Sequence, residues 1–269
     1  MLACSFRPID RGIHNDLRSH PVTEAEKRLS GRIALVTGGG RGIGRAIALA
    51  FAEEGADICV VSRTETEIQN VVEKVEAIGR KTLSVVADVT DQGQVGKMAE
   101  QVRQELGRVD ILVNNAGGGN ESNTVLESDP DLWKKTVDAN LMSGYFVTHA
   151  VLPLMIEGGG KIINVGSGMG HRSGSGSSAY RVGKAGLWML TCCLAEELWE
   201  KGIDVNELIP GPVATDATKQ HFRVGGAPPF APSERVKTPE EVAPLALWLA
   251  TQGTGGPTAQ SFSLARRPI

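Results

Sequence analysis

Short apolar runs of four to six residues alternate along the chain with longer segments in which apolar side chains recur every three or four positions. A continuous apolar run fits a strand covered on both faces, and the 3.6-residue period fits a helix with one buried stripe. The runs predict strands at 33–37, 58–62, 83–87, 109–113, 161–165, 204–209 and 261–264. Between them Ile43, Ile47 and Phe51 mark one helical stripe, Ile68, Val72 and Val75 a second, and Val95, Met98, Val102 and Leu106 a third. Two longer helices follow, one over about 131–157 and one over about 180–201, the latter with Leu187, Leu190, Leu194 and Leu198 on one face. Their apolar surface exceeds what a sheet alone would cover. This βα alternation predicts a single-domain α/β fold of the Rossmann type, a doubly wound parallel sheet of about seven strands flanked by helices. Residues 1–30 precede the first strand as an extension and 31–269 form the domain, with a Pro-, Gly- and Thr-rich loop near 211–238 long enough to suggest a role in function.

The 269 residues include 28 Lys or Arg and 31 Asp or Glu, a formal charge of −3, so no polybasic surface for nucleic acid or anionic lipid is expected. No window reaches the roughly 18 consecutive apolar residues of a membrane span, and the first 30 residues lack the apolar core of a secretory signal. Cys4, Cys59, Cys192 and Cys193 have neither metal-ligand spacing nor disulfide density and read as buried thiols of a reducing compartment. A cytoplasmic protein is expected.

The 33 glycines concentrate in loops. The first strand runs into Thr37-Gly38-Gly39-Gly40-Arg41-Gly42-Ile43-Gly44 and then directly into a helix. Glycines allow close backbone approach to a phosphate, and the helix N-terminus presents free N–H groups and partial positive charge. No Lys-Ser or Lys-Thr follows, so this is a dinucleotide-type turn and not a nucleotide-triphosphate loop. An acidic residue ending the second strand would bind the ribose 2′-hydroxyl of NAD, but that strand ends in Ser62-Arg63, with Asp57 at its other end. A hydroxyl and a guanidinium, with Arg41 as a second cation, suit a 2′-phosphate, which favours NADP(H).

Tyr180 and Lys184 lie four residues apart at the start of a helix and share a face. Bringing a tyrosine from a pKa of ~10 to near neutrality takes about 4 kcal/mol, and one ammonium at about 5 Å supplies on the order of 3 kcal/mol. Thirteen residues earlier, Ser167 ends the fifth strand at the C-terminal sheet edge, where open α/β sheets bind ligands. Asn114-Asn115-Ala116-Gly117 and Asp88-Val89 end the fourth and third strands at the same edge.

Together TGGGRGIG at 37–44, Asp88-Val89, NNAG at 114–117, Asn140, Ser167, YRVGK at 180–184 and Pro210-Gly211 with Thr215 resemble the short-chain dehydrogenase/reductase family, in its NADP-preferring branch and its 3-oxoacyl reductase type, over about residues 30–265. The resemblance implies hydride transfer between NADP(H) and a carbonyl or secondary alcohol, with Tyr180 as general acid/base. It implies that Lys184 lowers the tyrosine pKa and bonds the nicotinamide ribose, that Ser167 holds the substrate oxygen, and that Asn140 positions a proton-relaying water. It also places the pyrophosphate on Gly38, Gly40, Gly42, Ile43 and Gly44, the adenine at Asp88 and Val89, the adjoining ribose at Asn115, Ala116 and Gly117, and the carboxamide at Val213 and Thr215. Ser62, Arg63 and Arg41 would hold the 2′-phosphate. A homo-oligomer, tetramer or dimer, paired through the two long helices, is implied as well. The usual Asp-Gly-Gly close of the last strand is missing from the C-terminal sequence at 255–267, which bears on subunit contacts.

The five histidines, His14, His20, His149, His171 and His221, show no metal-ligand spacing, so no metal is expected. His171 sits in a Gly/Ser loop four residues after Ser167, either at the substrate entrance or exposed. Gly166-Ser167-Gly168 lacks the spacing of a hydrolase elbow. Trp188, Trp199 and Trp248 fall in helices and read as packing residues. The alternatives are an NAD-dependent alcohol dehydrogenase of the same fold and a cofactor-binding scaffold without chemistry. The substrate-facing loops, with Phe222 and Phe230 among their few aromatics, do not choose among acyl thioesters, sugars, steroids and small ketones.

Overall fold

The computed structural model describes residues 27–119, 122–219, 222–228 and 231–268. Cys4, His14, His20, His221, Phe230 and all but the last four residues of the expected extension lie outside the described residues. Seven parallel strands, β1 (Ile33–Thr37), β2 (Asp57–Ser62), β3 (Thr82–Val86), β4 (Ile111–Asn114), β5 (Gly160–Val165), β6 (Ile203–Ile209) and β7 (Ser261–Ser263), form one sheet in the order β3-β2-β1-β4-β5-β6-β7. Every expected strand is present, with ends shifted by no more than two residues. The order reverses between β1 and β4, which opens a crevice at their C-terminal ends.

Helices α1 (Gly42–Glu53), α2 (Glu65–Ala77) and α7 (Ala243–Ala250) cover one face, and α3 (Gln92–Glu105), α5 (Ser143–Val151) and α6 (Ser178–Leu198) cover the other. The expected stripes are the ones that bury: Ile47 and Phe51 on the first face, Val95, Met98 and Val102 on the second. Leu29 also packs into the first core, so burial begins before residue 31. No described helix is long and apolar enough to cross a membrane.

The helix expected over 131–157 is instead broken. It comprises α4 (Pro130–Val137), a π-helical turn at Asp138–Met142, α5, and a 3₁₀ turn at Leu152–Leu154. Asp129 caps α4, its Oδ1 accepting from the Asp131 and Leu132 N–H groups at 2.8 and 2.9 Å, and Pro130 follows at the first helical position. The π-helical turn lies where Asn140 turns its amide onto the backbone: Nδ2 donates to the Thr136 and Gly118 carbonyls at 2.8 and 2.6 Å. Sequence periodicity does not register a one-residue change in winding.

Cys59 is buried as expected, and burial pushes its thiol pKa far up, whereas Cys192 is half-buried and Cys193 exposed. Trp188 packs on His171, but Trp199 is 61% exposed and is no core residue.

Candidate active site

The C-terminal edge of the sheet opens into a cavity of about 580 Å³. One end is the turn between β1 and α1. Gly38 has φ +61°, and a Cβ there would meet Asn115 Nδ2 at 2.9 Å; a Cβ on Gly44 would run into Asn115 Nδ2 and the Gly38 carbonyl. Asn115 is the staple of this turn, with Nδ2 donating to the Thr37 and Gly38 carbonyls at 3.0 and 3.2 Å. The N-terminus of α1 carries no side-chain cap and no acidic residue in its first turn. Its free N–H groups and partial positive charge therefore remain available at the cavity wall, where Gly38, Arg41, Gly42 and Ile43 line it. Gly40 and Gly44 shape the turn from behind, outside the lining.

Past this turn the wall is formed by Ser62 and Arg63 from the end of β2, and by Asp88 and Val89 after β3. Both arginines meet carboxylates: Arg41 Nη1 lies 3.4 Å from Glu67 Oε1, and Arg63 Nη1 lies 3.8 Å from Asp88 Oδ2. Burial opposes ionisation of Asp88, but bonds from the Thr90 N–H and hydroxyl, with the Arg63 charge, outweigh it and lower its pKa. Glu67 was not singled out from sequence, because it sits on α2 with no motif around it.

The opposite end of the cavity brings together Ser167, Tyr180 and Lys184. Tyr180 and Lys184 lie on the first two turns of α6, whose N-cap Ser177 holds the left-handed conformation at φ 55°. For a non-glycine residue this is a strained backbone, held here on the cavity wall. Lys184 Nζ lies 5.9 Å from the Tyr180 ring centroid and donates to the Val165 carbonyl at 2.7 Å. Burial lowers the Lys184 pKa to about 8, against a smaller upward pull from the Glu207 charge. Burial raises the Tyr180 pKa, partly offset by a hydrogen bond with the Ser167 side chain. The downward shift expected from Lys184 is not found: desolvation of the phenol dominates, and the pull that opposes it comes from Ser167.

Asn140 does not line the cavity. It stands behind Gly117, whose Cβ would meet Asn140 Oδ1 at 2.9 Å and Lys184 Nζ at 3.3 Å. Its Oδ1 accepts from the Gly118 N–H at 3.0 Å. Ala116, Gly117, Val213 and Thr215 line the cavity between the two ends, with Phe222 also on the wall. His171 is absent from the lining: Nε2 faces the Glu207 carboxylate at 2.8 Å instead. The C-terminal segment supplies lining residues that no motif marked. Ala265 and Arg267 reach the wall, and the buried Glu234 holds the tail through Arg267 Nε at 3.1 Å and the Arg266 N–H at 3.1 Å. Among the described residues no cluster of His, Cys, Asp or Glu could hold a metal ion.

The family model for short chain dehydrogenases matches residues 32–224, and this chain belongs to that family. It is 34% identical over 240 residues to the 3-oxoacyl-(acyl-carrier-protein) reductase FabG of Thermotoga maritima, covering 88% of this chain and 97% of that one. It is 36% identical over 233 residues to an uncharacterized oxidoreductase of Mycobacterium tuberculosis, covering 83% and 87%. Among solved structures, a short-chain type dehydrogenase/reductase from Mycobacterium marinum superposes with a TM-score of 0.81 at 31% identity, covering 90% of this chain and 98% of that one. A 7α-hydroxysteroid dehydrogenase complexed with NADH and 7-oxo glycochenodeoxycholic acid superposes at 0.82 with 28% identity, covering 90% and 96%. The chain is therefore an oxidoreductase of the short-chain dehydrogenase family, and that family binds a nicotinamide cofactor.

Proposed function

We propose that the protein is an NADP(H)-dependent carbonyl reductase or secondary-alcohol dehydrogenase, with Tyr180 as its general acid/base and 3-oxoacyl thioesters as the first substrates to try. The observation that carries this reading is one continuous cavity with a glycine turn and an uncapped helix end at one side and Ser167, Tyr180 and Lys184 at the other. The glycine cradle fits a pyrophosphate, because Cβ atoms at Gly38 and Gly44 would fill the approach or disrupt the turn. Gly40, Gly42 and Ile43 complete it. Ser62, Arg63 and Arg41 form the polar wall suited to a 2′-phosphate, Asp88 and Val89 the adenine end, and Asn115, Ala116 and Gly117 with Val213 and Thr215 the length between.

When bound, the nicotinamide supplies or accepts the hydride. Reduction builds negative charge on the substrate oxygen, and Ser167 and Tyr180 are fixed donors for it. Tyr180 passes the phenolic proton to that oxygen. The buried Lys184 ammonium stabilises the phenolate left behind, held in place by the Val165 carbonyl. Asn140 positions a water near Lys184, through which the pair regains its proton. Oxidation runs the same steps backwards.

The relationship to FabG supports the thioester choice, and the proximity of Glu67 to Arg41 and Asp88 to Arg63 favours a second reading, an NAD-dependent dehydrogenase. The test is titration of NADPH and NADH by fluorescence, then turnover with ketones and 3-oxoacyl thioesters. Tight NADPH binding with turnover that is abolished in Tyr180→Phe is the expected result. Equal turnover in that variant overturns the mechanism, and binding without turnover across the panel favours a scaffold.

A further inference from the structure

The sheet interior carries a row of polar side chains in register. Asn114 on β4 pairs with Asn164 on β5, Asn164 with Glu207 on β6, and Glu207 with Ser261 on β7. Register partners in a parallel sheet share a face. Asn114 Nδ2 donates to Thr148 Oγ1 and Asn164 Oδ1, both at 2.9 Å, and Asn164 Nδ2 donates to Thr191 Oγ1 of α6 at 2.8 Å. Three members of the row are neutral. Glu207 alone is a carboxylate, and its side chain is 0% exposed.

A carboxylate buried this completely is costly to keep and must be held by partners. The Ser261 hydroxyl donates to Oε2, and His171 Nε2 lies 2.8 Å from the same oxygen. Among the described residues Oε1 has no hydrogen-bond partner, and it lies against Gly166, where any Cβ would collide with it. His171 from the loop after β5 and Ser261 from β7 contact the carboxylate, and its charge pulls the Lys184 and Cys192 pKa values upward on α6.

These contacts bracket the turn that carries Ser167. At its start the Gly166 N–H donates to the Leu208 carbonyl at 2.9 Å, and Gly166 rests on Glu207 Oε1. Inside it the Met169 N–H donates to Ser167 Oγ at 3.2 Å and the Gly170 N–H to the Ser167 carbonyl at 2.8 Å. At its end His171 is tied to Glu207 Oε2 and packed on Trp188, ring centroids 5.3 Å apart. Adjacent residues of β6 thus hold both ends of a six-residue turn.

We propose that Glu207 is a positioning residue for the reaction: its carboxylate clamps the Ser167 turn to the sheet through Gly166 and His171, and its charge acts on Lys184, whose Nζ bonds the Val165 carbonyl one residue before Gly166, and through Lys184 on its helical neighbour Tyr180. This rests on the reductase reading for its role in turnover, but not for its physical content. A negative charge near two coupled proton-binding groups raises the proton affinity of both, so its removal lowers the affinity of the pair whichever member titrates first.

The experiment uses the two tyrosines of the chain, Tyr145 and Tyr180. In a Tyr145→Phe background Tyr180 is the sole phenol, and its ionisation is read by phenolate absorbance without substrate. With Glu207→Gln added, the midpoint is expected to fall by about half a pH unit or more, about three-fold in proton affinity. In Glu207→Gln and in His171→Asn, amide hydrogen exchange across 166–171 is expected to quicken at least about ten-fold while the other strands stay protected. Far-UV circular dichroism checks that each variant is folded, and Glu207→Ala replaces Glu207→Gln if the amide is not tolerated. Coincident phenolate titrations, or unchanged exchange across 166–171 in both variants, overturn the proposal. If no carbonyl is turned over by the unmutated protein yet these two shifts appear, the reductase reading fails and the clamp stands.

Discussion

Lys184 and Tyr180 sit one helical turn apart with Nζ 5.9 Å from the phenol centroid, and burial drives the two pKa values apart, the ammonium down and the phenol up. Desolvation weakens the ammonium to about 8 and strengthens the phenol's hold on its proton. In the proposed mechanism the two groups act together as one acid, and their titration belongs to the pair.

For reduction the pair must be protonated. Below about pH 8 Lys184 carries its charge, and above it the charge is lost and the phenolate has no cation beside it. The rate of carbonyl reduction at saturating substrate is therefore expected to fall on the alkaline side of about pH 8, whereas alcohol oxidation rises through the same region. Lys184→Met is expected to lower kcat by about 10²-fold or more, in the range of general acid–base effects. A reduction rate that stays flat from neutrality well past pH 9 would show that this pair does not govern the step.

Arg63 is 74% exposed and loosely held by Asp88 at 3.8 Å, while Arg41 faces Glu67 at 3.4 Å. A 2′-phosphate would compete with both carboxylates for the guanidinium groups. Charge-assisted bonds contribute about 1.5–3 kcal/mol, so Arg63→Ala is expected to weaken NADPH binding about 10- to 100-fold and leave NADH nearly unchanged. Glu67→Gln should act in the opposite direction, tightening NADPH by releasing Arg41. Equal losses for both cofactors in Arg63→Ala would favour the NAD-dependent reading.

Far from the cavity, Lys161 and Asp204 form an ion pair between β5 and β6 with side chains 10% and 6% exposed, and Lys161 also donates to the Gly253 carbonyl at 2.8 Å. Removing one partner of such a pair leaves a buried charge and costs about 3–5 kcal/mol, whereas replacing both is often neutral. Lys161→Met is expected to lose about that much stability in urea, and Lys161→Met with Asp204→Leu to recover most of it. Loss in the double variant equal to that in the single one would place the stabilisation in the Gly253 bond.

The inner strands were legible because their runs are buried on both faces, as β1 shows with all five residues inside, whereas the edge strands β3 and β7 are only partly covered. The glycine turn and the Tyr180–Lys184 spacing were legible because local backbone geometry demands particular residues at fixed intervals. Glu207 was not. On a strand that also carries Asp204 and Asn206, its charge has meaning only beside Gly166, His171 and Ser261, which are 41, 36 and 54 positions away in sequence, and no local period encodes such a meeting. The tail residues Ala265 and Arg267 escaped notice for the same reason, since their place at the cavity depends on Glu234. His171 was noticed, but both places expected for it, the substrate entrance and the exposed surface, were solvent-facing, because a Gly/Ser loop reads that way until a buried acid draws its imidazole inward.

On α6, Val182 and Met189 are 48% and 59% exposed, and Tyr145 on α5 is 44% exposed. Val182 and Met189 are seven residues apart and so lie on one side of the helix, with the exposed Cys193 one further turn along. The opposite side, with Leu187, Leu194 and Leu198, is already buried in the protein. An apolar strip on the outer side of a helix, beside further apolar exposure on a neighbouring helix, fits burial against a second copy of the chain through a self-complementary two-fold contact. Light scattering is expected to give a mass at least twice the 28.5 kDa of the chain. Val182→Glu with Met189→Glu places two like charges in each half of that contact and is expected to lower the mass to that of one chain, with the circular dichroism spectrum unchanged. A single-chain mass for the unmutated protein would remove the paired-helix arrangement, whereas an assembly indifferent to both charges would place the contact elsewhere on the surface.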